Sequence, residues 1–240
     1  MKKKTKSKNT KKTNSFAEII DNIIFEAAKD PNNQLFINSM SRQNGYEKRR
    51  LYDLFNVFSV YDLCVKSGSN TYIWKGLDNV FYALIRFAKE VELQSLTQSY
   101  ESILKLPDPA SLILISKRFM FIFLFLGKSR LQIHDMATAM APNTVPPKKI
   151  LRRLYLVAHI LEHLKILVHS QVIGEYELTF DVLQINQIAL NEMRQNSEFP
   201  PDSVYSRLNR FEDIPRANIY QQRMKAYNAA INARRNLYHE

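Results

Sequence analysis

The sequence predicts a mainly α protein with small β wings, in which one module of helices and a hairpin is used twice. Three observations carry that expectation. A pair of arginines recurs, in EKRRLYDLFNVFSVYDLCVK over residues 47–66 and in KILRRLYLVAHILEHLKILVH over 149–169, and the copies align without a gap at an offset of 103 residues. Within each copy the apolar residues follow helical spacing: Leu51, Leu54, Phe55, Phe58 and Tyr61 in the first, Leu154, Val157, Ala158, Leu161 and Leu164 in the second. The same offset sets Phe16 of FAEIIDNIIFEAA against Phe119 of KRFMFIFLFLG, so an apolar helix precedes each copy. Self-similarity at a fixed offset marks a reused structural unit. Helix, short helix, basic helix and hairpin is the layout of a winged helix-turn-helix, so the fold expected is two tandem winged helix-turn-helix domains plus a helical C-terminal tail.

The elements follow in order. Residues 1–14 form a lysine-rich arm with seven lysines and no acid in the first twelve positions, a composition that predicts disorder. A nuclear address, a nonspecific DNA arm and a plain solvated tail all fit it. The first domain is expected over 15–77, with Lys48, Arg49 and Asn56 left off the apolar stripe of its basic helix. The β-branched runs LCVK and ILVH that close the two basic helices suit strands. Residues 78–110 read as a helical linker, because Val80, Phe81, Leu84, Phe87, Ala88 and Val91 form one stripe until Pro107 and Pro109 stop it. That stripe is too apolar for a loose tether and predicts two domains held in a fixed relation. The second domain is expected over 111–180. Its first helix, FMFIFLFL, reads as buried on several sides, against the first domain among others, with Lys117 and Arg118 closing its front. Pro142, Pro146 and Pro147 mark the loop before its basic helix, which leaves Lys149, Arg152 and His159 off the stripe. The tail, 181–240, reads as a helix, a polar break at Pro200 and Pro201, and a final basic helix from about Asn218 to Leu237 that interleaves tyrosines with arginines. Docking of that helix by its tyrosines is favoured over tracking a nucleic-acid backbone.

At KRRLYDLFNVF, followed by a hairpin ending in NTYIWKG, the chain resembles the DNA-binding domain of the E2-factor/DP family of cell-cycle transcription factors and their dimerisation partners. Arg49, Arg50, Leu51, Tyr52 and Asp53 match the family's Arg-Arg-aliphatic-Tyr-Asp motif, and Tyr72 to Gly76 match the strand after its wing. The likeness covers residues 15–77, and 112–179 more loosely. Two such domains on one chain resemble the atypical branch, which supplies both halves of the reader from one polypeptide. The resemblance implies recognition of double-stranded DNA at a GC-rich core flanked by a T-run, and a nuclear location. Lys48, Arg49, Arg50 and Tyr52 would bind in the first domain, and Lys149, Arg152, Arg153 and Tyr155 in the second. The chemistry fits on its own terms. An arginine's rigid fork of donors matches O6 and N7 of guanine, worth about 1–3 kcal/mol of discrimination for a bidentate pair, while lysines on phosphates position without specifying. In the second copy Leu156 stands in place of the motif's aspartate, and the wing carries Glu175 and Glu177, which phosphates disfavour.

Charge agrees with a polyanionic partner. The net charge is +11, of which the arm's seven lysines leave +4 for the rest. The single cysteine, Cys64, excludes an intrachain disulfide and any multi-cysteine zinc site, and is expected in a buried strand position. The longest apolar run is far short of the roughly 20 residues that a spanning helix needs, so no membrane partner is expected. His159, Glu162 and His163 spell an inverted zincin signature, but a third ligand is required and the pattern lies inside a repeat helix. No enzymatic activity, cofactor or small-molecule substrate is expected. The alternative to a sequence reader is a noncatalytic subunit of a larger nuclear complex, with protein partners docking on the apolar helices and the tail.

Overall fold

The computed structural model describes residues 15–29, 34–195 and 213–236. The lysine-rich arm, the break at Pro200 and Pro201, and Tyr238 lie outside the described residues. The chain is mainly helical. The first unit runs α1 (Phe16–Lys29), β1 (Gln34–Phe36), α2 (Ile37–Asn44), α3 (Lys48–Val60), β2 (Cys64–Gly68) and β3 (Thr71–Trp74). Two connecting helices follow, α4 (Asn79–Thr97) and α5 (Tyr100–Leu104). The same order then recurs as α6 (Leu112–Leu126), β4 (Arg130–Gln132), α7 (Ile133–Met140), α8 (Pro147–His163), β5 (Leu167–His169) and β6 (Glu175–Leu178). Helix α9 (Val182–Gln195) and helix α10 (Asp213–Asn236) complete the described chain.

Both sheets are antiparallel and three-stranded, ordered β1-β3-β2 and β4-β6-β5. Their registers correspond as well: Leu35 faces Tyr72 in the first, and Leu131 faces Tyr176 in the second. Strands β1 and β4 are additions to the expected hairpins. Each is three residues long, too short for alternation to show in sequence, and each exists because β3 or β6 offers a free edge.

Helix ends are set by local chemistry. The Ser111 side chain accepts from the Leu114 amide to start α6, and Gly127, at φ 60°, ends it in the left-handed region. Lys117 and Arg118 therefore sit inside α6 instead of closing its front. Likewise Gly45, at φ 70°, ends α2. The expected single linker helix is two helices, because Ser99 caps a new one by accepting from the Ser102 amide.

The apolar stripes meet in one continuous core. Helix α6 is buried from Phe119 to Leu126 without interruption, since α3, α4, α8 and α10 all pack on it. The two units are joined through this core. The Tyr61 hydroxyl donates to the Ser116 carbonyl at 3.0 Å, and Phe87 packs edge-on to Phe121 at 5.7 Å. Further contacts cross the seam: α1 touches α8, α3 touches α6, and α3 meets α8 between them. Burial raises the Tyr61 hydroxyl well above the usual phenol range. Cys64 is buried in β2, where desolvation pushes its thiol up to about 11.

Candidate nucleic-acid interface

Helix α3 buries Leu51, Leu54, Phe55, Val57 and Phe58 and turns Lys48, Arg49 and Tyr52 to solvent. The 3.6-residue period dictates that split, because Arg49 and Tyr52 fall one turn apart, away from the stripe of Leu51 and Leu54. Arg50 falls a further 100° round the helix. Its Nε lies 3.5 Å from Glu47, and its guanidinium is 5.2 Å from the ring of Phe16 on α1. Arg49 is exposed, one helical turn before Asp53, whose carboxyl feels its charge. The Tyr52 hydroxyl donates to Asn70 Oδ1 at the turn of the wing, and the Asn70 carbonyl accepts from the Ile37 amide at 3.0 Å. One tyrosine thus ties α3, the wing and the start of α2 together.

Helix α8 repeats the arrangement. Lys148, Lys149, Arg152 and Tyr155 are exposed, and Leu154, Val157, Ala158 and Leu161 are buried. The Tyr155 hydroxyl lies 3.3 Å from His134 Nε2 on α7, and the Gly174 carbonyl accepts from the Ile133 amide at 2.9 Å. Asn70 and Gly174 both have positive φ, 65° and 77°, so the two wing turns are matched in backbone as well as in position. Arg153, the counterpart of Arg50, is half-buried and donates to the Ala110 carbonyl at 2.5 Å. Desolvation lowers its pKa, while the charge of Asp53 opposes that shift.

The Asp53 carboxyl feels one arginine of each pair. Burial raises its carboxyl above the usual range, and the charges of Arg49 and Arg153, one from each repeat, pull it back down. The resemblance assigns all four arginines alike to DNA. The structure exposes Arg49 and Arg152 and turns Arg50 and Arg153 toward the seam. It also adds Asn70 and His134. Asn70 was readable as a turn residue, whereas nothing in the sequence connects His134 with Tyr155.

The acids of the second wing are engaged locally. Glu177 pairs with Arg130 at 3.0 Å, and Glu175 accepts from the Ser170 hydroxyl. The histidines of the zincin-like pattern face each other at 3.3 Å between Nε2 atoms, but Glu162 turns to His169 on β5, also at 3.3 Å. Among the described residues no group of three or more His, Cys, Asp or Glu could hold a metal ion, and no helix is long and apolar enough to cross a membrane.

A three-helix unit with a three-stranded sheet, a basic third helix and a wing tied to it by a tyrosine has the winged-helix layout. Residues 4–76 match the winged-helix DNA-binding domain of the E2-factor/DP family, a match that covers the first unit and not the rest of the chain. No curated protein matches the chain.

Proposed function

We propose that the chain is a sequence-specific reader of double-stranded DNA, acting in the nucleus to regulate transcription, with two winged-helix heads on one polypeptide. The observation that carries this reading is the start of the two basic helices. A helix N-terminus carries a partial positive charge and favours Asp or Glu in its first turn. Within their first turns α3 and α8 have no acid and open with Lys48, Arg49 and Arg50, and with Lys148 and Lys149; the one carboxylate at either start is the α3 N-cap, Glu47, which pairs with Arg50 and leaves Lys48 and Arg49 facing outward. Cations stacked on the positive end of a helix dipole are unfavourable in isolation. They become favourable when an external anion docks, and a phosphate on the helix N-terminus is that anion. The match of residues 4–76 supports DNA as its source. Recurrence of element order, strand order and wing geometry supports a second head over 111–180.

Arg49 and Arg152 read guanines, Lys48 and Lys149 hold phosphates, and Tyr52 and Tyr155 set the wings. Arg50 and Arg153 fix the seam that spaces the heads. The chain performs no catalysis. Fluorescence-anisotropy titration at physiological salt tests the reading, comparing a duplex with a GC-rich core with the same duplex carrying a scrambled core. A preference of about a hundredfold or more, abolished by Arg49→Ala with Arg152→Ala, is expected; this lies below the usual specific-to-nonspecific ratio of roughly 10³–10⁷. Equal, weak and steeply salt-dependent binding to both duplexes refutes it.

A second reading has its own support. The turn of the second wing holds Ile173 97% exposed beside Val172 at 53%, an apolar tip where the first wing has Ser69 and Asn70. In that reading the second head docks a protein and only the first touches DNA, so Arg152→Ala would leave DNA preference unchanged.

A further inference from the structure

The far end of α10 grips the turn that precedes α8. Arg234 is 5% exposed, and its guanidinium donates to the carbonyls of Pro142 at 2.6 Å, Val145 at 2.7 Å and Asn143 at 3.2 Å, and to Asn143 Oδ1 at 3.3 Å. The turn needs such a partner. Residues 142–147 read Pro-Asn-Thr-Val-Pro-Pro, and prolines bring carbonyls but no amide hydrogens, so the segment carries more acceptors than donors. A guanidinium, with five donors in a fixed fork and no acceptor, corrects that imbalance. Beside it Arg235 pairs with Asp135 on α7 at 2.7 Å.

The middle of α10 is anchored as firmly. Arg223, 1% exposed, makes two 2.8 Å bonds to the Glu92 carboxylate on α4, and reaches Ser95 Oγ at 3.2 Å and the Phe125 carbonyl at 3.3 Å. From Arg223 to Arg234 the helix spans about 16 Å at 1.5 Å per residue. Tyr227 and Ile231 are buried between those anchors. Helix α10 is therefore a stiff member that runs from the connecting helix α4 to the turn between α7 and α8. It touches α5, α6 and α7 along the way.

We propose that α10 is an orienting strut for α8 and that Arg234 is its positioning residue. The strut sets the attitude at which Lys148, Lys149 and Arg152 are presented relative to the first head. This rests on the reading of 111–180 as a DNA-contacting head. The inward face of α8 is held independently by α6, so loss of Arg234 tilts the start of α8 without releasing its core.

The experiment uses the full chain with Arg234→Ala, Arg234→Lys and Arg234→Met, the last keeping an unbranched stem should the alanine variant fold poorly. Hydrogen exchange is followed without DNA. Affinity is measured for three duplexes: an intact GC-rich core, one half of the core scrambled, and the whole core scrambled. The expected result is exchange faster by about tenfold or more in residues 143–152 with α1 and α3 unchanged. The preference for the intact over the half-scrambled duplex should vanish while binding to the half-scrambled duplex stays at the wild-type level, and Arg234→Lys should fall between. Unchanged exchange in 143–152, or faster exchange with the preference intact, overturns the proposal. So does a uniform loss across all three duplexes, which marks a purely structural role. Failure of the proposed function shows in the wild type, as equal binding to the intact and wholly scrambled duplexes; failure of the strut shows only in the variants.

Discussion

Substituting Gly127 by alanine tests how α10 is docked. Gly127 ends α6 at φ 60°, and a Cβ built there would lie 2.8 Å from the ring of Tyr220 on α10. Two costs follow. An alanine in the left-handed region is disfavoured by roughly 1–2 kcal/mol. Forcing a methyl group into a packed aromatic ring adds about 1–3 kcal/mol. The ring has little room to retreat, because the Asn186 side chain donates to the Tyr220 hydroxyl at 2.9 Å and to the Leu124 carbonyl at 2.8 Å. Gly45 supplies the control. Its φ is 70°, but nothing lies within 4 Å of its built Cβ, so Gly45→Ala carries the backbone cost alone. Urea unfolding monitored by circular dichroism should place Gly127→Ala about 2–5 kcal/mol below wild type and Gly45→Ala about 1–2 kcal/mol below it. In a Tyr220→Ala background the excess cost at position 127 should disappear, as a double-mutant cycle would show. Equal losses for the two glycine variants would refute the packing of Tyr220 over the end of α6.

Other expectations come from single contacts. Arg49→Ala and Arg152→Ala should each relax discrimination at one base pair by about 1–3 kcal/mol, whereas Lys48→Ala should weaken all duplexes alike and lower the salt slope by about 1, read by anisotropy at several salt concentrations. Tyr61→Phe removes a buried hydrogen bond to the Ser116 carbonyl, which keeps its intrahelical donor, and should cost about 0.5–1.5 kcal/mol in urea unfolding, with no change in DNA preference. Cys64 is buried and its thiol is pushed up to about 11, so the thiolate is scarce at neutral pH; a thiol reagent should label it far more slowly in the folded chain than in urea, and rapid labelling at neutral pH would contradict its burial. Glu92→Gln removes the carboxylate charge facing a guanidinium that is 1% exposed, and should destabilise by about 3 kcal/mol, which thermal melting reads directly.

The parts of this fold that were legible in sequence are those fixed by a periodicity. The stripes of α3, α4 and α8 could be counted because a helix face repeats every three or four residues, and the repeat at 103 residues exposed the doubling. Strands β1 and β4 were hidden because each owes its existence to an edge far along the chain and not to its own three residues. The arginine pairs were legible as pairs but not as individuals. Arg49 and Arg50 are neighbours in sequence, yet about 100° of helical rotation sends one to solvent and the other to Phe16. Arg223 and Arg234 read as members of a basic surface because nothing nearby offsets their charge. Their partners, Glu92 and the carbonyls of the 142–145 turn, lie far upstream, and no local pattern reveals them.

The seam between the units, with α3 on α6 and Tyr61 reaching Ser116, has a consequence for supply. Two heads assembled from separate chains come apart on dilution and change character when one chain is exchanged for another. Here the ratio is written into the polypeptide. Both basic helices are made in one act of translation and fold around one core, so in the proposed reading they reach DNA together in a fixed ratio.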